Sequence, residues 1–316
     1  MTYIEDQKTK AAAWKATTTV LPEAARAAAA YIDKDGRPGP RPYAFCLPAE
    51  LAAHNLLPDV REPALALFAA LGIPWHAGVG DGPGNHLLSS QVQCVNALMP
   101  MVADPSRVLR AFGDVLDIAT VEEIEPGRWL TFEYIGPLDV FGEVPHGDRV
   151  RGAGCTSVDA AFQYVTSTGQ RELALVEWKY TESYRPRKPE PPKDALRLRR
   201  YGPALADPGG PVRGELLAPE LLFDEPFYQL VRQQLLAWKL ESLLDVDVVR
   251  VVHVLPPANR AYQESIARPE QRALGETVSE IWRALNRRPE RFVSLDSSVF
   301  CDPELTSSEY LVRYGD

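Results

Sequence analysis

An α/β fold with a mixed central sheet follows from the way the hydrophobic period changes along this chain of 316 residues. Leu88, Val92, Val95 and Met99 recur on one helical stripe. From Arg128 the pattern alternates through three strand-like runs, at residues 129–135, 157–165 and 171–184. A helical stripe returns over residues 225–243, and residues 248–255 then form an unbroken apolar run. The resulting order is helix, three strands, helix, strand, with helices added at both ends.

Each element has its own signal. Residues 23–32 are alanine-rich and read as a helix that Asp35-Gly36-Arg37-Pro38-Gly39-Pro40 breaks. Residues 48–71 carry Leu57, Leu65, Leu67, Phe68 and Leu71 at helical spacing, so residues 1–75 read as a mostly helical N-terminal extension. The glycine-rich stretch 78–84 lacks both the Gly-Lys-Ser/Thr of a phosphate loop and a preceding strand, and reads as a plain loop. Asp104-Pro105 supplies an N-cap and a proline at the first helical position, with Val108, Leu109, Phe112, Val115 and Leu116 as the buried stripe. Ser167-Thr168-Gly169-Gln170 turns the second strand into the third, making a hairpin. Phe227, Leu230, Val231, Leu235 and Trp238 give the following helix its core face. Pro256-Pro257 stops the next strand, residues 270–286 read as a last helix, and residues 292–295 as a short edge strand. The core spans residues 76–260, and residues 261–316 pack on it as a C-terminal helix and tail.

Composition narrows the function classes. With 45% hydrophobic residues the chain can bury a large core, which argues against disorder. The start lacks a basic region followed by an apolar one, and no segment is apolar for long enough to span a bilayer, so a cytoplasmic protein is expected. Cys46, Cys94, Cys155 and Cys301 follow neither a disulfide nor a zinc pattern. A net charge of −9 repels nucleic acid at long range, so phosphate binding requires a local patch. Residues 185–200 offer one, a proline-rich basic connector in which Arg185, Arg187, Lys188 and Arg197 are the candidate nucleic-acid contacts. No Gly-x-Ser-x-Gly elbow supports a serine hydrolase.

The chemistry concentrates in Leu173-Ala174-Leu175-Val176-Glu177-Trp178-Lys179-Tyr180. Strand side chains alternate, so Glu177 and Lys179 share a face, and burying them costs several kcal/mol unless each is compensated. On an exposed face the pair would be an ordinary surface ion pair. The hairpin sets a second inward carboxylate, Asp159, near the first. Two such groups repel unless a divalent cation lies between them, and oxygen ligands at a rigid sheet edge suit Mg²⁺ or Mn²⁺. Lys179 is then placed to orient or deprotonate a water, or to stabilise developing charge.

Asp159, then Glu177-x-Lys179 on an apolar strand, then the helix with Tyr228-Gln229-Leu230-Val231-Arg232-Gln233, resembles the PD-(D/E)xK nuclease superfamily over residues 86–255. More narrowly, Ser89-Ser90-Gln91-Val92-Gln93-Cys94-Val95-Asn96 and Glu177-Trp178-Lys179-Tyr180-Thr181-Glu182 are similar to a bacterial group described as restriction endonucleases. The resemblance implies a restriction-endonuclease-like core and a Mg²⁺- or Mn²⁺-dependent nuclease. In it Asp159 and Glu177 bind the metal, Lys179 acts at the water, and a 5′-phosphate is left. DNA is the implied substrate, defence against foreign DNA an implied role, and a homodimer would suit cutting two strands. Val158 stands where the superfamily places proline. The superfamily also draws a polar residue from a neighbouring helix, here Gln91, Gln229 or Gln233, and Glu133 on the first strand is a further possible ligand. The ordinary use of Gln91 and Gln229 is as hydrogen-bonded core amides. Two rival readings remain: a catalytically inactive nucleic-acid-binding protein that keeps the fold, and a small-molecule hydrolase using the same carboxylates in a closed pocket.

Overall fold

Hydrophobic residues of the sheet strands divide between its two faces, and this division places the helices. The structure, a computed structural model, describes residues 2–144, 146–188 and 190–315. In chain order its elements are α1 (Tyr3–Thr17), β1 (Ala29–Ile32), β2 (Pro38–Tyr43), α2 (Pro58–Leu71), α3 (Ser90–Leu98), α4 (Pro105–Phe112), β3 (Thr120–Glu122), β4 (Thr131–Tyr134), β5 (Val158–Val165) and β6 (Arg171–Trp178). There follow α5 (Pro191–Ala206), α6 (Phe227–Leu243), β7 (Val248–Leu255), α7 (Arg260–Gln263), α8 (Pro269–Arg272), α9 (Val278–Leu285), β8 (Phe292–Asp296) and α10 (Ser308–Tyr314).

The main sheet runs β3-β5-β6-β7-β8, with β4 also on β5. β3 and β4 cover one edge of β5 end to end: Val121 pairs with Tyr164, Phe132 with Ala160. β5 and β6 form the expected antiparallel hairpin, whereas β6 to β7 and β7 to β8 are parallel and need the intervening helices as crossovers. The sheet is therefore mixed, consistent with a restriction-endonuclease-like core. Ala160, Phe162, Tyr164, Ala174, Val176 and Trp178 face one core, shared with α1 to α4 and α10. Leu173, Leu175, Val249 and Val251 face the other, against α5, α6 and α9.

The helix expected from Pro105 forms but ends at Phe112, short of Val115 and Leu116, and the one expected over residues 225–243 begins at Phe227. Asp104 caps α4 by accepting from the Ser106 N–H, and the expected edge strand is β8. Residues 23–32 are not one helix. A 3₁₀ turn at Glu23–Arg26 leads into β1, which pairs with β2 across the turn at Gly36. Buried Asn85 accepts from the Ile32 N–H and donates to the Ala30 carbonyl, so tertiary hydrogen bonds override alanine's helix propensity. The third strand ends at Trp178, short of residue 184. The basic connector becomes helical from Pro191, because Pro191 and Pro192 occupy a first turn where a missing N–H costs nothing. Residues 270–286 hold two helices: α8 ends before Gly275, and a capping box between Thr277 and Glu280 starts α9.

Cys46, Cys94, Cys155 and Cys301 form no disulfide. Among the described residues no helix is long and apolar enough to cross a membrane.

Candidate active site

Register brings three carboxylates together at the neighbouring ends of three strands. β5 pairs Ala160 with Val176, which sets Asp159 opposite Glu177. β4 pairs Phe132 with Ala160 and Tyr134 with Val158, which sets Glu133 opposite Asp159. Beyond Ala160 the ladder is carried by a side chain, as the Trp178 N–H donates to Asp159 Oδ2 at 2.6 Å. Glu177 and Lys179 alternate onto the face of Leu173 and Leu175, toward α6. Both are buried, at 2% and 5% exposure, so the surface ion-pair reading does not apply.

The compensation that burial demands comes from each residue and from α6. Lys179 Nζ donates to Glu177 Oε1, and also to Gln229 Oε1 at 2.7 Å. One helical turn on, Gln233 Nε2 donates to Glu177 Oε2. Burial alone would lower the Lys179 pKa, but the adjoining Glu177 charge outweighs it and carries the ammonium well above its ordinary range.

Glu133 is held in a backbone conformation with φ of 47°, which costs a residue with a side chain roughly 1–2 kcal/mol. Its carboxylate accepts from Gln91 Nε2 at 3.0 Å and from Ser157 Oγ at 2.9 Å. Gln91 Oε1 in turn accepts from the His76 N–H at 2.8 Å, tying the acid to the loop after α2. Burial, only partly offset by those hydrogen bonds, pushes the Glu133 carboxyl above its usual range. Burial and then the charges of Glu177 and Glu133 push Asp159 well above its own. Accumulated negative charge among oxygen donors is what a hard divalent cation relieves. Asp159 Oδ1 accepts no hydrogen bond among the described residues and is free for that purpose. Asp159 and Glu177 therefore fit such an ion in donor chemistry, although among the described residues no group of three His, Cys, Asp or Glu side chains is set to hold a metal as it stands.

These residues line a cleft of about 1110 Å³. The opposite wall is N-terminal: Tyr31 and Lys34 of the β1–β2 hairpin, Trp75, His76 and the loop around Gly78 to Gly84. Sequence reasoning singled out Asp159, Glu177, Lys179, Gln91, Glu133, Gln229 and Gln233, and the fold brings all but Gln233 to this cleft, with Gln233 bonded to Glu177 from behind. The basic segment lies elsewhere. Arg187 is spent on Asp194 at 2.7 Å and on Asp224, and Arg197 on Asp194 at 3.1 Å and on the Tyr228 ring. Arg185 and Lys188 are exposed, and none of the four lines the cleft.

Three residues beside these side chains escaped the sequence reading. Ser157 lies two residues before Asp159, so strand alternation was the available signal. Arg232 lies between Gln229 and Gln233 on a helix already marked. His253 pairs in register with Glu177 and is fully buried, its two ring nitrogens without partners, and burial drives its pKa down to about 3. Nothing local distinguishes it from any strand histidine.

Residues 7–314 match the model of the family described as Restriction Endonuclease associating with ARP. No curated protein and no solved structure matches the chain.

Proposed function

Because this chain belongs to the family of restriction endonucleases associating with ARP, we propose that it hydrolyses phosphodiester bonds of DNA, as an endonuclease dependent on Mg²⁺ or Mn²⁺. The observation that carries the reading is that Glu133, Asp159 and Glu177 line one cleft close enough to perturb one another, with the Lys179 ammonium beside Glu177. Asp159 and Glu177 would hold the ion, which when bound supplies positive charge to a non-bridging phosphate oxygen. Lys179, pinned by Gln229, orients the attacking water and stabilises charge that develops on the phosphate. Glu133, its carboxyl above the usual range and its position fixed by Gln91 and Ser157, is suited to take the proton from that water. In-line displacement then leaves a 5′-phosphate. Two copies acting together would cut both strands, and defence against foreign DNA is the role proposed for such cleavage.

A second reading has its own support. Both Glu177 oxygens are already hydrogen-bonded, one to Lys179 and one to Gln233, which suits a catalytically inactive nucleic-acid-binding protein. Incubating circular and linear DNA with the protein and Mg²⁺ or Mn²⁺ separates the two. Cleavage that disappears in Glu177→Ala supports the nuclease; DNA binding without cleavage under every metal supports the rival.

A further inference from the structure

Beside the cleft lies a groove of about 410 Å³ that shares Gly152, Ser157 and Gln229 with it, so the two spaces adjoin. Its remaining lining is Gly154, Cys155, Thr156, Arg232 and Gln233. Gly154 has open space where a side chain would project, leaving the groove floor bare. Arg232 is its cation, and Arg232 is unusually well fixed. Nε donates to Thr156 Oγ1 at 3.0 Å, Glu143 Oε1 lies 3.6 Å from the same nitrogen, and the guanidinium sits over the Tyr228 ring at 5.5 Å. Neither terminal amino group has a hydrogen-bonding partner among the described residues.

Arg232 is the counter-charge of Glu143, a carboxylate 6% exposed, but it pairs through Nε, and that carboxylate also accepts from the Thr156 N–H, the Thr156 hydroxyl and the Tyr201 hydroxyl. What remains is a pre-oriented fork facing a groove that opens from the site of the reacting phosphate. A planar guanidinium with two free amino groups matches the oxygens of a phosphodiester, and its fixed Nε removes most of the ordering cost of binding one.

We infer that this groove is a phosphate subsite in which Arg232 receives a backbone phosphate neighbouring the scissile one, an assignment that rests on the nuclease reading above. It directs the strand from the cleft across Ser157 and Gln229 toward Arg232. The basic segment at 185–200 is then peripheral to the reacting phosphates.

Labelled oligonucleotides in EDTA, where no turnover occurs, test it. Arg232→Gln should bind about tenfold more weakly, as expected on losing a charge-assisted hydrogen-bonding pair, with a log–log salt slope smaller by about one. Placing a single methylphosphonate at successive positions should locate one phosphate at which the parent and Arg232→Gln bind alike. Arg232→Lys keeps the charge without the fork, so it should keep the salt slope and lose about threefold in affinity; it decides the matter if Arg232→Gln folds poorly. Equal affinity and slope in these variants, or a difference that persists with every methylphosphonate, overturns the subsite. Cleavage with Mg²⁺ or Mn²⁺ is followed in parallel. A parent that binds and responds to Arg232 substitution but never cleaves sinks the nuclease reading alone; one that cleaves with no response to Arg232 sinks the subsite alone; one that binds no oligonucleotide sinks both.

Discussion

Glu177 and Lys179 are each affordable only because the other is present. Removing the carboxylate leaves a buried ammonium without its counter-charge, so Glu177→Ala should lower stability by about 3–5 kcal/mol. Glu177→Leu combined with Lys179→Met should recover most of that loss in urea unfolding, and a double variant no more stable than Glu177→Ala would refute the pairing. Asp159 makes a second prediction, with a definite sign. Its folded pKa is raised, so the stability it contributes is present below the unfolded carboxyl pKa and is lost as pH rises through the folded value. Without divalent cations Asp159→Asn, whose amide oxygen can still accept from Trp178, should melt higher than the parent at pH 8 and no higher at pH 4. Millimolar Mg²⁺ should raise the parent's melting temperature at pH 8 and leave Asp159→Asn unmoved; a shift of equal size in both would remove Asp159 from the metal site. Glu177, Lys179 and Asp159 were legible in the sequence because charges stand out in apolar strands. The direction of Glu133 was not, since it depends on one left-handed residue that no periodicity reveals.

At the scale of elements, legibility followed the strength of local signals. The β5–β6 hairpin, α4 and α6 were marked by turn, cap and stripe. β1 was hidden, because besides β2 it is held by two hydrogen bonds from Asn85, more than fifty residues away. α5 was misread since prolines that usually mark loops sit in its first turn, and the basic residues in and just before it serve the fold as much as the surface. Arg187 supports Asp224, a carboxylate 1% exposed that also meets Arg268 at 2.7 Å. Arg187→Ala should therefore cost roughly 1–3 kcal/mol in urea unfolding, the order of a buried group left short of a partner. Arg185→Ala, at an exposed position, should leave stability unchanged. Equal effects of the two substitutions would contradict this division of roles.

Across the whole molecule, residues 1–75 carry one wall of the cleft and share a core with the sheet. Trp14 donates to Glu309 at 2.5 Å, and Arg313 stacks on Trp14 and donates to the Asn55 and Leu87 carbonyls. These contacts tie α1 to α10 and both to the cleft wall. Deleting residues 2–17 should accordingly lower the melting temperature and abolish activity together; a truncated protein that unfolds at the parent's temperature would show that the segment is dispensable. No charge pattern in the sequence announced this arrangement, which arises from apolar packing between distant segments. Gly152 lines both the cleft and the groove, with φ of 72° and the Glu133 carboxyl carbon 3.0 Å from where a β-carbon would sit. In a library randomised at that codon, selection for cutting should return glycine almost alone, whereas selection for soluble expression would admit other residues, making this position a natural lock between heritable folding and heritable chemistry.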